Sequence, residues 1–148
     1  MSRLILPALF VALAATACTG KVEDTRPGQP VKHRQDGFKA ITRAFEPMGV
    51  MLRTDAYNAD KFAAAAAELI RVRETPWSYF GPDTHYPPTK AKAAVWSEAA
   101  DFERERVAFF TASDALLAAA QTGDKAQVQA AYDVAYDSCK SCHKRFKD

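Results

Sequence analysis

Apolar residues recur along this chain at helical spacing, and no segment sustains the strict alternation of a half-buried strand. Between about Val31 and Arg53, the residues Phe38, Ile41, Phe45, Met48 and Leu52 follow a 3-4-3-4 spacing, a heptad-like seam on one helix. Pro47 falls inside that stretch, so a kink or local break is expected there. A second helix starts after Asn58 or Asp60 as cap and runs through Phe62, Ala66 and Leu69 to about Glu74, where Thr75-Pro76 ends it. The stretch from Pro76 to Pro88 holds four prolines, a glycine and the aromatics Trp77, Tyr79, Phe80 and Tyr86, and reads as a loop that carries packing groups. A long third helix is predicted from about Thr89 to Gln121, with Val95, Ala99, Phe102, Phe109 and Leu116 on one side. Thr122-Gly123-Asp124 then gives a stop and a restart, Gly as C-cap and Asp as the next N-cap. The last helix gathers Val128, Tyr132, Ala135, Cys139, Cys142 and Phe146 on one stripe.

Four amphipathic helices joined mostly by short turns predict an all-α fold, an antiparallel four-helix bundle spanning 31–148 as one domain. The N-terminal residues read differently. Arg3 followed by the apolar run Leu4 to Ala15 is too short to span a bilayer comfortably, and Ala15-Thr16-Ala17 fits a small-residue cleavage site. Residues 1–17 are therefore expected to be a signal peptide, and the mature chain to work outside the cytoplasm. Cys18 stands directly behind that site. Two readings stand for it: a lipidated first residue, which is favoured, or ordinary cleavage nearby. Residues 18–30, polar with two prolines and two glycines, read as a flexible tether.

Formal charge changes little in this picture. Loss of residues 1–17 removes Arg3 alone, so +2 becomes +1, which is no electrostatic footprint for nucleic acid. Lys140, Lys144, Arg145 and Lys147 do cluster near the C-terminus, where a basic rim fits either an acidic redox partner or a solvated helix end.

The chemistry is concentrated in Cys139-Lys140-Ser141-Cys142-His143. This is C-x-x-C-H, the attachment pattern of a covalent c-type haem. Two thiols at i and i+3 on a helix point the same way and can add to two vinyl groups on one porphyrin edge. The adjacent neutral imidazole of His143 is a good axial ligand for haem iron. A zinc site would want a second ligand pair, and none stands at ligand spacing. A thioredoxin-type motif would follow a strand, and no βαβ pattern exists. One haem c on the last helix, filling the core beside it, is the expectation.

The second axial position decides the function, since two strong ligands favour electron transfer and an open iron binds small gases. His33 and His85 read as surface histidines, and Met48 reads as core filler in the first-helix seam, with Met51 close by.

From about Val31 to the C-terminus the residues resemble the cytochrome c′ family. Lys32-His33-Arg34-Gln35 opens the first helix, Pro76-Trp77-Ser78-Tyr79-Phe80-Gly81 matches a family turn, Val95-Trp96 stands near the start of the third helix, and the haem motif lies at the C-terminal end. The resemblance implies that His143 is the proximal ligand, with Cys139 and Cys142 as thioether anchors. It implies that Phe38, four residues beyond Arg34, lies over the iron on the distal side, where a phenyl ring cannot ligate. By the same resemblance Trp77 and Phe80 line the distal pocket, and Arg34 and Gln35 reach a haem propionate, where a guanidinium suits a carboxylate. Lys147 holds a proximal position where the family usually has arginine, one residue from the end of this sequence.

These readings imply a periplasm-facing haem protein that binds NO, and CO when reduced, at an open iron, with NO buffering rather than turnover as the result. The other reading is a one-electron carrier working with a redox partner protein. Peroxidase-type catalysis is not expected, because no distal His/Arg pair can be assigned. A homodimer through the first two helices is implied by the resemblance, and membrane contact only through a lipid on Cys18.

Overall fold

The computed structural model describes residues 22–54 and 56–148; the expected signal peptide and Cys18 lie outside the described residues. Five helices lie among the described residues: α1 (Pro30–Arg53), α2 (Ala59–Val72), the single turn α3 (Ala94–Ser97), α4 (Ala99–Thr122) and α5 (Lys125–Phe146), with a 3-10 turn at Trp77–Tyr79. The four long helices form the expected bundle, with α1 on α2, α2 on α4, and α4 on α5. Phe45 of α1 and Tyr132 of α5 close the ring by stacking at 4.6 Å.

The seam residues do what their spacing implies. Ile41, Met48, Phe62, Leu69, Phe109, Leu116, Val128 and Tyr132 share one core. Each fully buried side chain among them, such as Phe62, Met48 or Leu69, contributes about 1.5–3 kcal/mol by leaving water. Among the described residues no helix is long and apolar enough to cross a membrane.

Local signals set most of the helix ends. Asn58 caps α2 by accepting from the Lys61 amide at 2.9 Å. Gly123 adopts a left-handed φ of 72° after α4, and Asp124 caps α5 through the amides of Ala126 and Gln127. Pro47 does not break α1, which continues through it. The residue is exposed, so the carbonyl it leaves without a donor faces the solvent side.

Two expectations are corrected. The third helix does not begin at Thr89; α3 starts at Ala94, and a break at Glu98 separates it from α4. Residues 90–92 instead pair with the C-terminus. Ala91 forms an antiparallel bridge with Lys147, the Lys92 amide donates to the Phe146 carbonyl at 2.9 Å, and the Asp148 amide donates to the Lys90 carbonyl at 2.9 Å. The described part of the tether is also not free. Asp24 is 3% exposed, and its carboxylate accepts the Val31 and Lys32 amides at the start of α1, the Arg26 amide and the Tyr86 hydroxyl. It substitutes for Gln29, whose side chain makes no cap. The Arg26 guanidinium then lies 3.9 Å from the Tyr86 ring centre.

Gly37 explains how α1 reaches the proline-rich loop. A Cβ there would stand 3.0 Å from the Pro76 nitrogen and 3.1 Å from two of its ring carbons. Only the bare backbone lets α1 come this close. That contact sets Phe38 beside Trp77.

Candidate haem site

The last two turns of α5 carry the motif. Cys139 and Cys142 are free thiols, both half-buried, and Cys139 packs against the core cluster. Burial pushes both thiols up, Cys142 to about 11 with added repulsion from Glu105 and Cys139. Both are therefore protonated at neutral pH, the state in which an S–H can add across a carbon–carbon double bond with no atom leaving. His143 is exposed at the surface, yet partial desolvation, followed by the charge on Lys147, lowers its pKa below 6.5. The ring is then neutral at pH 7 and keeps a lone pair for a metal.

The helix bearing these groups is fastened to α4. The Ser141 hydroxyl donates to Glu105 at 2.9 Å, and the Arg145 guanidinium pairs with Glu98 and Asp101. Lys147 is held by its backbone, through its bond to the His143 carbonyl and its bridge to Ala91. The bridge to Ala91 fixes what the sequence alone leaves loose.

Across the bundle stands an aromatic wall. The Phe38 ring meets Trp77 edge-on at 5.4 Å and Phe80 at 6.2 Å. Phe80 continues to Phe102 at 4.9 Å, and Phe102 to Phe146 of α5 at 5.3 Å. The wall thus runs from Phe38 to within three residues of His143. Its indole N–H groups are taken up by the backbone. The Trp77 indole N–H donates to the Arg73 carbonyl at 2.6 Å, and the Trp96 N–H donates to the Gly81 carbonyl at 2.9 Å.

Arg34 is placed differently from the expectation. It is 3% exposed, and both terminal nitrogens are occupied by the loop: Nη1 donates to the Tyr79 carbonyl and the Thr84 hydroxyl, Nη2 to the Thr84 carbonyl and the Thr89 hydroxyl. Its plane also lies 4.6 Å from the Phe80 ring centre. These four bonds make it the clamp of the loop behind the wall rather than a free carboxylate partner, and only Nε is left for a propionate. Gln35 donates to the Pro88 carbonyl and, with Lys90, lines a cavity of about 440 Å³ where a carboxylate would meet an amide and an ammonium. Lys90 carried no signal in the sequence, since its approach to Gln35 depends on the fold of the intervening loop.

The remaining ligand candidates are held elsewhere. His33 stacks on Tyr79 at 4.7 Å and His85 rests on Trp96 at 5.0 Å, both exposed. Met48 is fully buried in the bundle core, and Met51 packs at its edge. Arg73, which sequence reasoning did not single out, donates to the Phe110 carbonyl and the Ser113 hydroxyl and pairs with Asp114. Nothing in its local sequence marks it as buried.

A protonated thiol pair on one helix face, a neutral imidazole beside it and an apolar wall opposite are the donor set and lining that haem c needs. Comparison with known proteins agrees. The family model described as Cytochrome C' matches residues 29–147. Cytochrome c′ from Rubrivivax gelatinosus is 38% identical over 125 residues, covering 83% of this chain and 97% of that protein. Cytochrome c′ from Rhodospirillum rubrum is 33% identical over 143 residues, covering 94% and 95%. The crystal structure of the Rubrivivax gelatinosus protein superposes with a TM-score of 0.78 at 36% identity, covering 85% of this chain and 100% of that one. A nitric oxide complex of a variant of cytochrome c prime from Alcaligenes xylosoxidans superposes with a TM-score of 0.78 at 31% identity, covering 85% and 98%. With its bundle, its C-terminal thiol pair and these relatives together, the chain belongs to the cytochrome c′ family and carries one covalently attached haem c.

Proposed function

We propose that this protein is a periplasm-facing haem protein that binds NO, and CO when reduced, at an open iron beneath Phe38. Haem c would supply the iron that binds the gas. His143 would ligate it, Cys139 and Cys142 would hold the porphyrin edge, and Phe38 would cover the open side. The observation that carries this reading is the chemistry of the wall. Phe38, Trp77 and Phe80 present carbon, and the nearest indole N–H groups donate to backbone carbonyls. Bound dioxygen needs a hydrogen-bond donor that such a lining lacks, while NO and CO do not. The nitric oxide complex of the related Alcaligenes xylosoxidans variant supports the same choice of ligand.

Lys147 stands on the proximal side by this reading, where its charge already bears on His143. Gln35 and Lys90 would receive a propionate at their cavity. The biological outcome is NO buffering without turnover. Export by residues 1–17 and a lipid on Cys18 belong to the same proposal, and mass spectrometry of the mature N-terminus tests both. Self-association would use α1 and α2, where the half-exposed Val50 flanks a cavity with Pro47 and Met51. Sedimentation of wild type and Val50→Glu tests it.

The decisive experiment is the visible spectrum of the dithionite-reduced holoprotein at neutral pH, before and after NO. Broad high-spin bands that change with NO are expected. Sharp, split low-spin bands indifferent to NO would overturn the open-iron reading and leave a one-electron carrier.

A further inference from the structure

Eight of the eighteen lysines and arginines among the described residues meet a carboxylate, Arg73 and Arg104 among them. Lys32 and Lys39 share Asp36, Arg71 meets Glu68, Arg106 meets Glu103, Lys140 meets Asp137, and Arg145 meets Glu98 and Asp101. One end of the bundle gathers four that do not. The bridge between Ala91 and Lys147 brings Lys90 and Lys92 to the last turn of α5, where Lys144 and Lys147 already flank His143. Lys92 reaches along the helix end, its ammonium 3.2 Å from the Lys144 carbonyl. None of these four lysines forms an ion pair among the described residues, and Lys90, Lys144 and Lys147 are exposed. The only acidic side chain in the two paired segments is Asp148.

Helix-end lysines are common, and Lys92 satisfies that ordinary role. The other three do not need to be there for α5 to terminate. They converge from segments more than fifty positions apart, beside the exposed imidazole that follows the thiol pair. A concentrated patch of one sign steers partners of the opposite sign and is felt over about a Debye length, ~10 Å at 0.1 M salt.

We infer that Lys90, Lys144 and Lys147, gathered by the Ala91–Lys147 bridge around His143, form the docking surface for an acidic redox protein that exchanges single electrons with the haem. This rests on haem being carried at the end of α5, but not on the gas-binding reading. In each exchange one electron leaves the ferrous haem for the partner's oxidised centre, or returns from its reduced one, and no atom moves. A compact patch next to the haem-bearing turn suits a protein with a matching acidic face better than a broad lipid surface.

The test uses reduced holoprotein oxidised by ferricyanide in stopped flow, where ferricyanide takes one electron and becomes ferrocyanide. At ~10 mM salt, Lys144→Glu is expected to slow oxidation about tenfold. Lys125→Glu makes the same charge change at the far end of α5, about 28 Å from Lys144 by helix rise, and is expected to slow it less than about twofold. The cationic oxidant tris(phenanthroline)cobalt(III) should show the opposite response to Lys144→Glu. Binding of wild-type holoprotein to immobilised poly-L-glutamate should be lost in Lys92→Glu/Lys144→Glu, with the haem spectrum unchanged. Equal slowing by Lys144→Glu and Lys125→Glu would overturn the proposal, since net charge alone would then act. Co-sedimentation with phosphatidylglycerol vesicles, lost in the double variant and without poly-L-glutamate binding, would overturn it in favour of a lipid surface.

Discussion

Replacing Gly49 by alanine would force a methyl group into space that Tyr132 already fills. A Cβ there clashes with the Tyr132 hydroxyl, stands 3.0 Å from Cζ and 2.6 Å from an Arg53 nitrogen. Arg53 is exposed and can swing away, but Tyr132 is 7% exposed and stacked on Phe45 at 4.6 Å. The ring therefore cannot yield without parting α5 from α1. Overpacking of this kind costs about 1–3 kcal/mol. Exchanging glycine for alanine inside a helix returns about 0.5–1 kcal/mol. The net loss is about 1–2 kcal/mol, or a fall of about 3–8 °C in Tm. Tyr132→Phe removes the clashing oxygen, so Gly49→Ala/Tyr132→Phe should be less destabilised than the sum of the single variants, with a coupling of about 1 kcal/mol. Urea unfolding of the four holoproteins gives the cycle. Strict additivity, or a Gly49→Ala protein as stable as wild type, would refute the claim that this close approach fixes α5 against α1.

The other predictions concern the site and its loop. Phe38→Ala should speed CO association with the reduced holoprotein about tenfold, equivalent to about 1.4 kcal/mol of steric barrier, measured by stopped flow; an unchanged rate would remove Phe38 from the ligand path. Cys139→Ser/Cys142→Ser should lose all haem to acid–acetone extraction while each single variant keeps it through one thioether, and haem retention by the double variant would contradict the assignment. Burial tends to raise the Asp24 carboxyl, but the amides of Arg26, Lys32 and Val31 and the Tyr86 hydroxyl outweigh it and hold it below its ordinary 3.8. A lowered carboxyl pKa gives stability that is present above the unfolded-state value and is lost as pH falls through the folded one. Asp24→Asn should therefore be less stable than wild type at pH 7, and the gap should narrow below about pH 3.8, as followed by thermal melts across pH. A constant gap would show that Asp24 acts through shape alone.

How much of this could be read from the sequence depended on the distance over which each interaction acts. The seam of α1, the Asn58 cap and the Gly123-Asp124 restart were legible because each is settled within a turn or two of helix. The thiol pair was legible because the chemistry needs a fixed short spacing. The start at Thr89 misled, since Lys90 to Lys92 has good local helix propensity and the C-terminal residues that capture it lie far along the chain. Arg34 misled for the same reason. Its acceptors are backbone carbonyls and hydroxyls 45 to 55 positions downstream, and no local pattern announces them. Asp24 looked like part of a polar tether because a lone acid among prolines and glycines carries no mark of the helix end it will cap.

Arg34 also governs how the proline-rich loop can open. Tyr79, Thr84 and Thr89 share one guanidinium, so no part of the loop can lift without disturbing the same planar group. Partial opening would strand donors of a buried cation, which is costlier than releasing all of them to water together. The segment from Tyr79 to Thr89 therefore behaves as one cooperative unit. In hydrogen exchange its amides should share a single opening free energy.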